Sequence, residues 1–299
     1  KIVSFIVGTI SVPIFFFVDG FLFSRIYSKK EHCYSNYLIK SAKRLIIPWL
    51  LFTCLYTFIR LVAEYYNVLQ DRIIIGNSYQ NILLILYTSQ VSIQLYFLLS
   101  LFFVRILSCL TCLIVRSNLL ITTMLCSAFV VLFRYYEHKI YGFFYVEGGF
   151  DPVFAGLVGL QYYLYGVLVE RFLPIISRHS RFIVAVCVLL MPPLILFAYD
   201  TVVGKTIIDF IYLTSCFIFI LVNVPEEKFF SRIGRRTMGI YLFHSPIIIK
   251  TFSLIALRYI FEPILSFMLI AGLTFTVSFL IAEVVSRNQI GGIILGESV

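Results

Sequence analysis

The chain has 299 residues, of which 61% are hydrophobic and 13% charged, and its mean hydropathy is +0.98. A soluble domain carries about a quarter charged residues, so a water-soluble fold is excluded. Apolar runs long enough to cross ~30 Å of hydrocarbon recur from end to end. The formal net charge of +9 lies mostly in the loops between those runs, where topology accounts for it without nucleic-acid binding.

Nine spans are predicted, at roughly 1–23, 45–68, 94–115, 119–135, 153–173, 182–199, 207–224, 237–257 and 263–285, each close to the ~20 residues a crossing helix needs. The segment 73–87, IIIGNSYQNILLILY, is too short and too polar at its centre to count, and reads as interfacial or re-entrant. With no soluble domain, linker, low-complexity tract or repeat, residues 1–299 read as one all-α, polytopic membrane domain.

Charge sets the orientation. The loop 24–44 carries Arg25, Lys29, Lys30, Lys40, Lys43 and Arg44, and the alternate loops on its side add Arg116, Arg171, Arg178, Arg181, Lys228, Arg232, Arg235, Arg236 and Arg287. Only Arg72, Arg134, Lys139, Lys205 and Arg258 fall on the other side. Cytoplasmic loops attract Lys and Arg, so the richer side is cytosolic, residue 1 starts outside and the last residues end inside, in a plasma or inner membrane. Lys1 is not a start methionine, and residues 1–23 lack a signal-peptide pattern. The expectation is a further span upstream, ten in all.

The seven cysteines are odd in number and six lie within spans, which argues against a disulfide framework. Cys109 and Cys112 read as helix packing, since no second pair or His cluster accompanies them; no metal site is expected.

Ionisable residues at membrane depth are costly and mark either function or a paired contact. Arg60 and Glu64, four apart, share a helix face and read as an ion pair. Glu283 and Arg287 repeat that spacing near an inner end, and Lys250 snorkels outward. Arg105 is central in its span with no partner at helical spacing, so it must meet one on another helix. Within PIFFFVDGFLFSR (13–25), Asp19 lies about one turn, ~5 Å, from the inner end at Arg25. Its expected partner is Lys43 or Arg44, which makes Asp19→Ser tolerable, and Gly20 beside it admits another backbone or a ligand. In RIGRRTMGIYLFHSP (232–246), three arginines stand at the inner mouth of a span, and Tyr241 and His244 share one face inside it. His244 reads either as a general base or as a structural histidine.

Four stretches, in order, resemble the membrane acyltransferase family 3, multi-span enzymes that O-acylate sugars and other acceptors. PIFFFVDGFLF is similar to the family's P-x-F-F-x-x-S-G-F span. YLIKSAKRLIIPWLLF resembles its basic loop leading into R-x-x-P, IQLYFLLSLFF its H-x-W-F-L segment, and IGRRTMGIYLFHSPI its G-x-x-S-x-x-I-Y-x-x-H-x-P segment. Asp19, Gln94, Tyr96 and Thr237 replace the family's Ser, His, Trp and Ser. The family's first span, with an Arg and a His central to catalysis, has no counterpart in the chain, and that His is the leading candidate for the base.

The resemblance implies transfer of an acyl group, acetyl above all, from cytosolic acyl-CoA to a hydroxyl of a sugar, lipid-linked saccharide or surface polysaccharide. Acyl-CoA is then a substrate rather than a bound cofactor, and membrane lipids surround the protein. Lys40, Lys43, Arg44, Arg232, Arg235 and Arg236 are the candidate donor-phosphate ligands, with a purely topogenic role as the alternative. His244, Tyr241 and Asp19 are the catalytic candidates. Gln94, Arg105, Glu147 and Asp151 are the acceptor candidates, the last two in the aromatic, acidic loop 134–152. A transporter or flippase for a lipid-linked sugar is the rival reading, through Arg60, Glu64, Arg105 and Lys250; a non-catalytic membrane subunit is a third.

Overall fold

The computed structural model describes residues 12–27, 34–69, 71–116, 119–145, 151–179, 189, 202–223, 228–259 and 262–297. Most of the described residues are helical, and none of them forms a strand. In chain order the helices are α1 (Pro13–Tyr27), α2 (Tyr34–Tyr65), α3 (Tyr79–Tyr87), α4 (Tyr96–Arg116), α5 (Leu119–Phe144), α6 (Pro152–Arg178), α7 (Val202–Asn223), α8 (Lys228–Phe243), α9 (Ile249–Tyr259), α10 (Pro263–Val285) and α11 (Gln289–Ile294). A short 3-10 turn, Ile93–Leu95, leads into α4, and a π turn, His244–Ile248, joins α8 to α9.

Four of these helices are long and apolar enough to cross a membrane: α2, α5, α6 and α10. Stretches of α4 and α7 are apolar but shorter. The last predicted span coincides with α10. Others differ in extent. The basic loop before 45 is largely helix, because α2 begins at Tyr34, and α8 begins nine residues ahead of the predicted 237. Both extensions are Lys- and Arg-bearing turns, which hydropathy assigns to loop although nothing in them breaks a helix. The span expected at 182–199 lies outside the described residues.

The chain divides into two compact units interleaved in sequence: residues 1–37, 103–145 and 153–225, and residues 38–102, 146–152 and 226–299. The first is organised on α6, of which 61% of the apolar window is buried against 17% for α5. Its approach to α1 is backbone on backbone. A side chain at Gly20 would strike the Tyr163 carbonyl, and one at Gly166 would strike the Phe17 carbonyl. The glycines three residues from each contact let two membrane helices close on one another, the usual route to tight packing where lipid removes the hydrophobic drive. Around the crossing, Phe17 and Phe21 set edge-on rings against Phe217 of α7, at 5.1 and 4.8 Å.

In the second unit, α10 shows the inverted pattern of a lipid-exposed helix. Ile264, Met268, Phe275 and Leu280 are exposed, while Ser266, Thr274, Ser278 and Ala282 are buried. Small side chains at four- and eight-residue steps form one stripe, which is the face α10 turns to its unit.

At the C-terminal end of α2, Arg60 Nε donates to Glu64 at 2.9 Å, as the spacing predicts. Glu64 does more than pair. It is fully buried and accepts the backbone N–H groups of Ile73, Ile74 and Ile75 at 2.9–3.0 Å. It thereby fixes the segment between α2 and α3.

Candidate functional site

The first unit holds Asp19 and Arg105. Arg105 grips the carboxylate at two points, Nε to Oδ2 at 3.0 Å and Nη2 to Oδ1 at 2.6 Å. The two side chains are only 15% and 12% exposed, and the guanidinium lies 5.9 Å from the Tyr37 ring centre. This corrects the expected pairing with Lys43 or Arg44. Those two are exposed and reach water, whereas Arg105, central in an apolar helix, has to be neutralised by an acid at its own depth. The close neighbour that Gly20 admits is the Tyr163 backbone.

Sequence reasoning passed over a second polar cluster in this unit. Tyr162 Oη donates to Asp209 Oδ2 at 3.1 Å and accepts from Arg134 Nη2 at 3.2 Å, and Arg134 also meets Glu137 at 3.0 Å. Asp209 is 3% exposed. An acid inside a predicted span was its one signal in the sequence.

The second unit holds Tyr241, His244 and Gln94. Pro246 has no N–H, so the Leu242 carbonyl four residues back lacks its α-helical donor. Tyr56 Oη donates to that carbonyl instead, at 2.7 Å and buried. The chain opens into the π turn at this point, a feature common at functional sites. His244 Nδ1 lies 2.6 Å from the Tyr241 carbonyl. A carbonyl cannot donate, so Nδ1 carries a proton, and in the neutral form of the ring the lone pair lies on Nε2. Tyr241 Oη donates to the Gln94 carbonyl, and its ring packs edge-on against Phe97 at 5.4 Å. Two of the four family-like stretches therefore meet here. The Thr237 hydroxyl is spent on its own helix, at the Gly234 carbonyl, 2.9 Å away.

The six candidate donor cations lie in this unit as two trios with the same spacing. Lys40, Lys43 and Arg44 lie on α2, and Arg232, Arg235 and Arg236 on α8; steps of three and four put each trio on one helix face. All but Arg236 are exposed. Glu283 does not turn to Arg287, as spacing suggested. It accepts from Arg232 Nη2 at 2.7 Å and from Arg236 Nε at 3.1 Å, because the stripe that faces α10 inward carries Glu283 to α8. Arg236 also donates to Glu297.

Asp151 borders the same unit and bonds Tyr87; burial, then that carboxylate, pushes the Tyr87 phenol up to about 12. Glu147, Cys33 and the Cys109–Cys112 side chains lie outside the described residues. Among the described residues, no cluster of His, Cys, Asp and Glu is arranged to hold a metal, and Cys54, Cys126 and Cys216 are free thiols.

A family model described as an acyltransferase domain matches residues 1–283. No curated protein and no solved structure matches the chain.

Proposed function

The chain belongs to acyltransferase family 3 and is a membrane acyltransferase for groups other than aminoacyl, and from that premise we propose the reaction it performs. It moves an acyl group, acetyl in the simplest case, from cytosolic acyl-CoA to a hydroxyl of a saccharide. About nine spans carry it, with residues 24–44 in the cytosol.

One observation carries this reading. The arginine trio and His244 stand on one continuous helical stretch, with Arg236 and His244 eight residues apart, ~12 Å along the axis. The trio suits the donor's phosphates, which arginine holds through paired N–H donors. His244 suits the chemistry beyond it. Its Nε2 lone pair takes the proton of the acceptor hydroxyl as that oxygen attacks the thioester carbonyl. The C–S bond then breaks, the ester forms and the thiol leaves with a proton. Tyr241, anchored on Gln94, positions the imidazole. Asp151 offers the acceptor a hydrogen-bonding carboxylate, and Asp19 with Arg105 supports the fold of the first unit.

The test uses the full chain in lipid nanodiscs with radiolabelled acetyl-CoA. Arg44→Ala and Arg235→Ala should each weaken donor binding about ten- to a hundred-fold, the worth of one charge-assisted hydrogen bond, with insertion unchanged. His244→Gln should abolish transfer of label to a saccharide-containing lipid extract while leaving donor binding intact. Unchanged donor binding in both arginine variants returns those residues to a topogenic role.

A further inference from the structure

Beyond α10 the chain doubles back. Ser286 caps α10, α11 follows, and the Glu297 N–H closes onto the Gly292 carbonyl at 2.8 Å. This strap, residues 286–297, is built to lie against the cationic helices. Leu295 is fully buried and fits over Gly239 of α8, where an added Cβ would come within 3.2 Å of its Cδ1. Gly296 adopts φ +67°, and any side chain there would strike the Arg44 carbonyl of α2; glycine meets both demands at once.

The strap ends by delivering a carboxylate to the two trios. Glu297 Oε2 accepts from Arg236, and the charge of Arg44 also acts on it. Its other oxygen, Oε1, is buried with no hydrogen-bond partner. Burial pushes the carboxyl up in spite of Arg236. The contact is thus half satisfied, which is costly for a buried anion. A phosphate presents the same fork-matching oxygens with more charge, and so competes well for the paired arginines. The family match ends at residue 283, so the strap lies wholly outside it.

We propose that residues 286–297 are an autoinhibitory strap, in which the Glu297 carboxylate occupies the place of a donor phosphate between Arg236 and Arg44 and is displaced when acyl-CoA binds. The proposal rests on the donor site assigned above. It makes donor affinity a competition within the chain, so whatever loosens the strap activates the enzyme at low acyl-CoA.

Coenzyme A binding to the full chain in nanodiscs tests it. Glu297→Gln keeps the shape and removes the charge, and should tighten binding about tenfold; unchanged or weaker binding overturns the strap. Trypsin gives a readout on the unmodified chain. Arg287 is exposed at the strap's root, and saturating coenzyme A should speed cleavage after it several-fold. Cleavage that coenzyme A slows or leaves unchanged also overturns the strap. Arg235, exposed on α8, separates the two readings. If Arg235→Ala and Arg44→Ala weaken coenzyme A binding while Glu297→Gln changes nothing, the donor site stands and the strap falls. If neither arginine variant has an effect, the donor site itself is misassigned.

Discussion

Asp19 shows what a single side chain costs and gives at membrane depth. Its partner is Arg105, so Asp19→Ser, although it restores the family's residue, strands a guanidinium among apolar helices. Removing one member of a buried pair costs about 3–5 kcal/mol, more than the pair itself is worth. Asp19→Ser should therefore lower membrane abundance and thermal stability, and Arg105→Gln should do the same. The double variant should recover most of the loss, because neither charge is then left alone. Equal, additive losses measured by thermal unfolding in detergent would reject the pairing as the cause. The sequence placed both residues correctly as ionisable groups needing partners. It could not match them, since pairing across 86 residues depends on which helices pack.

At the scale of elements, two features make opposite demands on the backbone. The crossing of α1 and α6 requires absent side chains, so Gly166→Ala should sharply reduce the folded, inserted population. Gly142→Ala, where nothing lies within 4 Å, should leave it unchanged. Quantitative immunoblotting of the membrane fraction compares the two, and equal abundance would mean the crossing yields. The break after α8 requires a replacement donor. Tyr56→Phe leaves the Leu242 carbonyl without its hydroxyl, a loss of about 1–3 kcal/mol for a buried acceptor. Adding Pro246→Ala restores an N–H to the helix and should return part of that stability while abolishing the π turn that presents His244. Recovered stability with lost transfer is the expected result; recovery of both would make the turn incidental. Hydropathy located the long apolar helices, α10 to the residue. It missed the π turn and the strap. One rests on a hydrogen bond from another helix, and the other on glycine contacts that no periodicity encodes.

For the whole molecule, the proposed topology rests on the charge bias and can be tested directly. Cys33 in the basic loop should resist a membrane-impermeant thiol reagent in intact cells, and Tyr145→Cys should react; the reverse pattern would invert the chain. The reaction class was legible in the four family-like stretches, which the family match over residues 1–283 bears out; the donor reading rests on the charge bias. Cations clustered on one side suit a polyanionic cytosolic donor, and two of the family-like stretches do meet around Tyr241. The Arg134–Tyr162–Asp209 cluster was not legible, because its members are spread over three helices and no spacing links them.

The ion pairs of this chain also differ in when they can form. Every partner of Glu64 lies within eleven residues of it, so that carboxylate is satisfied almost as soon as it leaves the ribosome. Asp19 must wait for a cation 86 residues later, about 4–17 s at the usual rates of synthesis of ~5–20 residues per second. Throughout that interval the acid of α1 has no counter-ion from α4. Membrane insertion factors and quality-control proteases therefore meet this chain at its most vulnerable before Arg105 has been translated. A ribosome halted between those two codons should leave a nascent chain that is cleared faster than one halted shortly after α4 is complete.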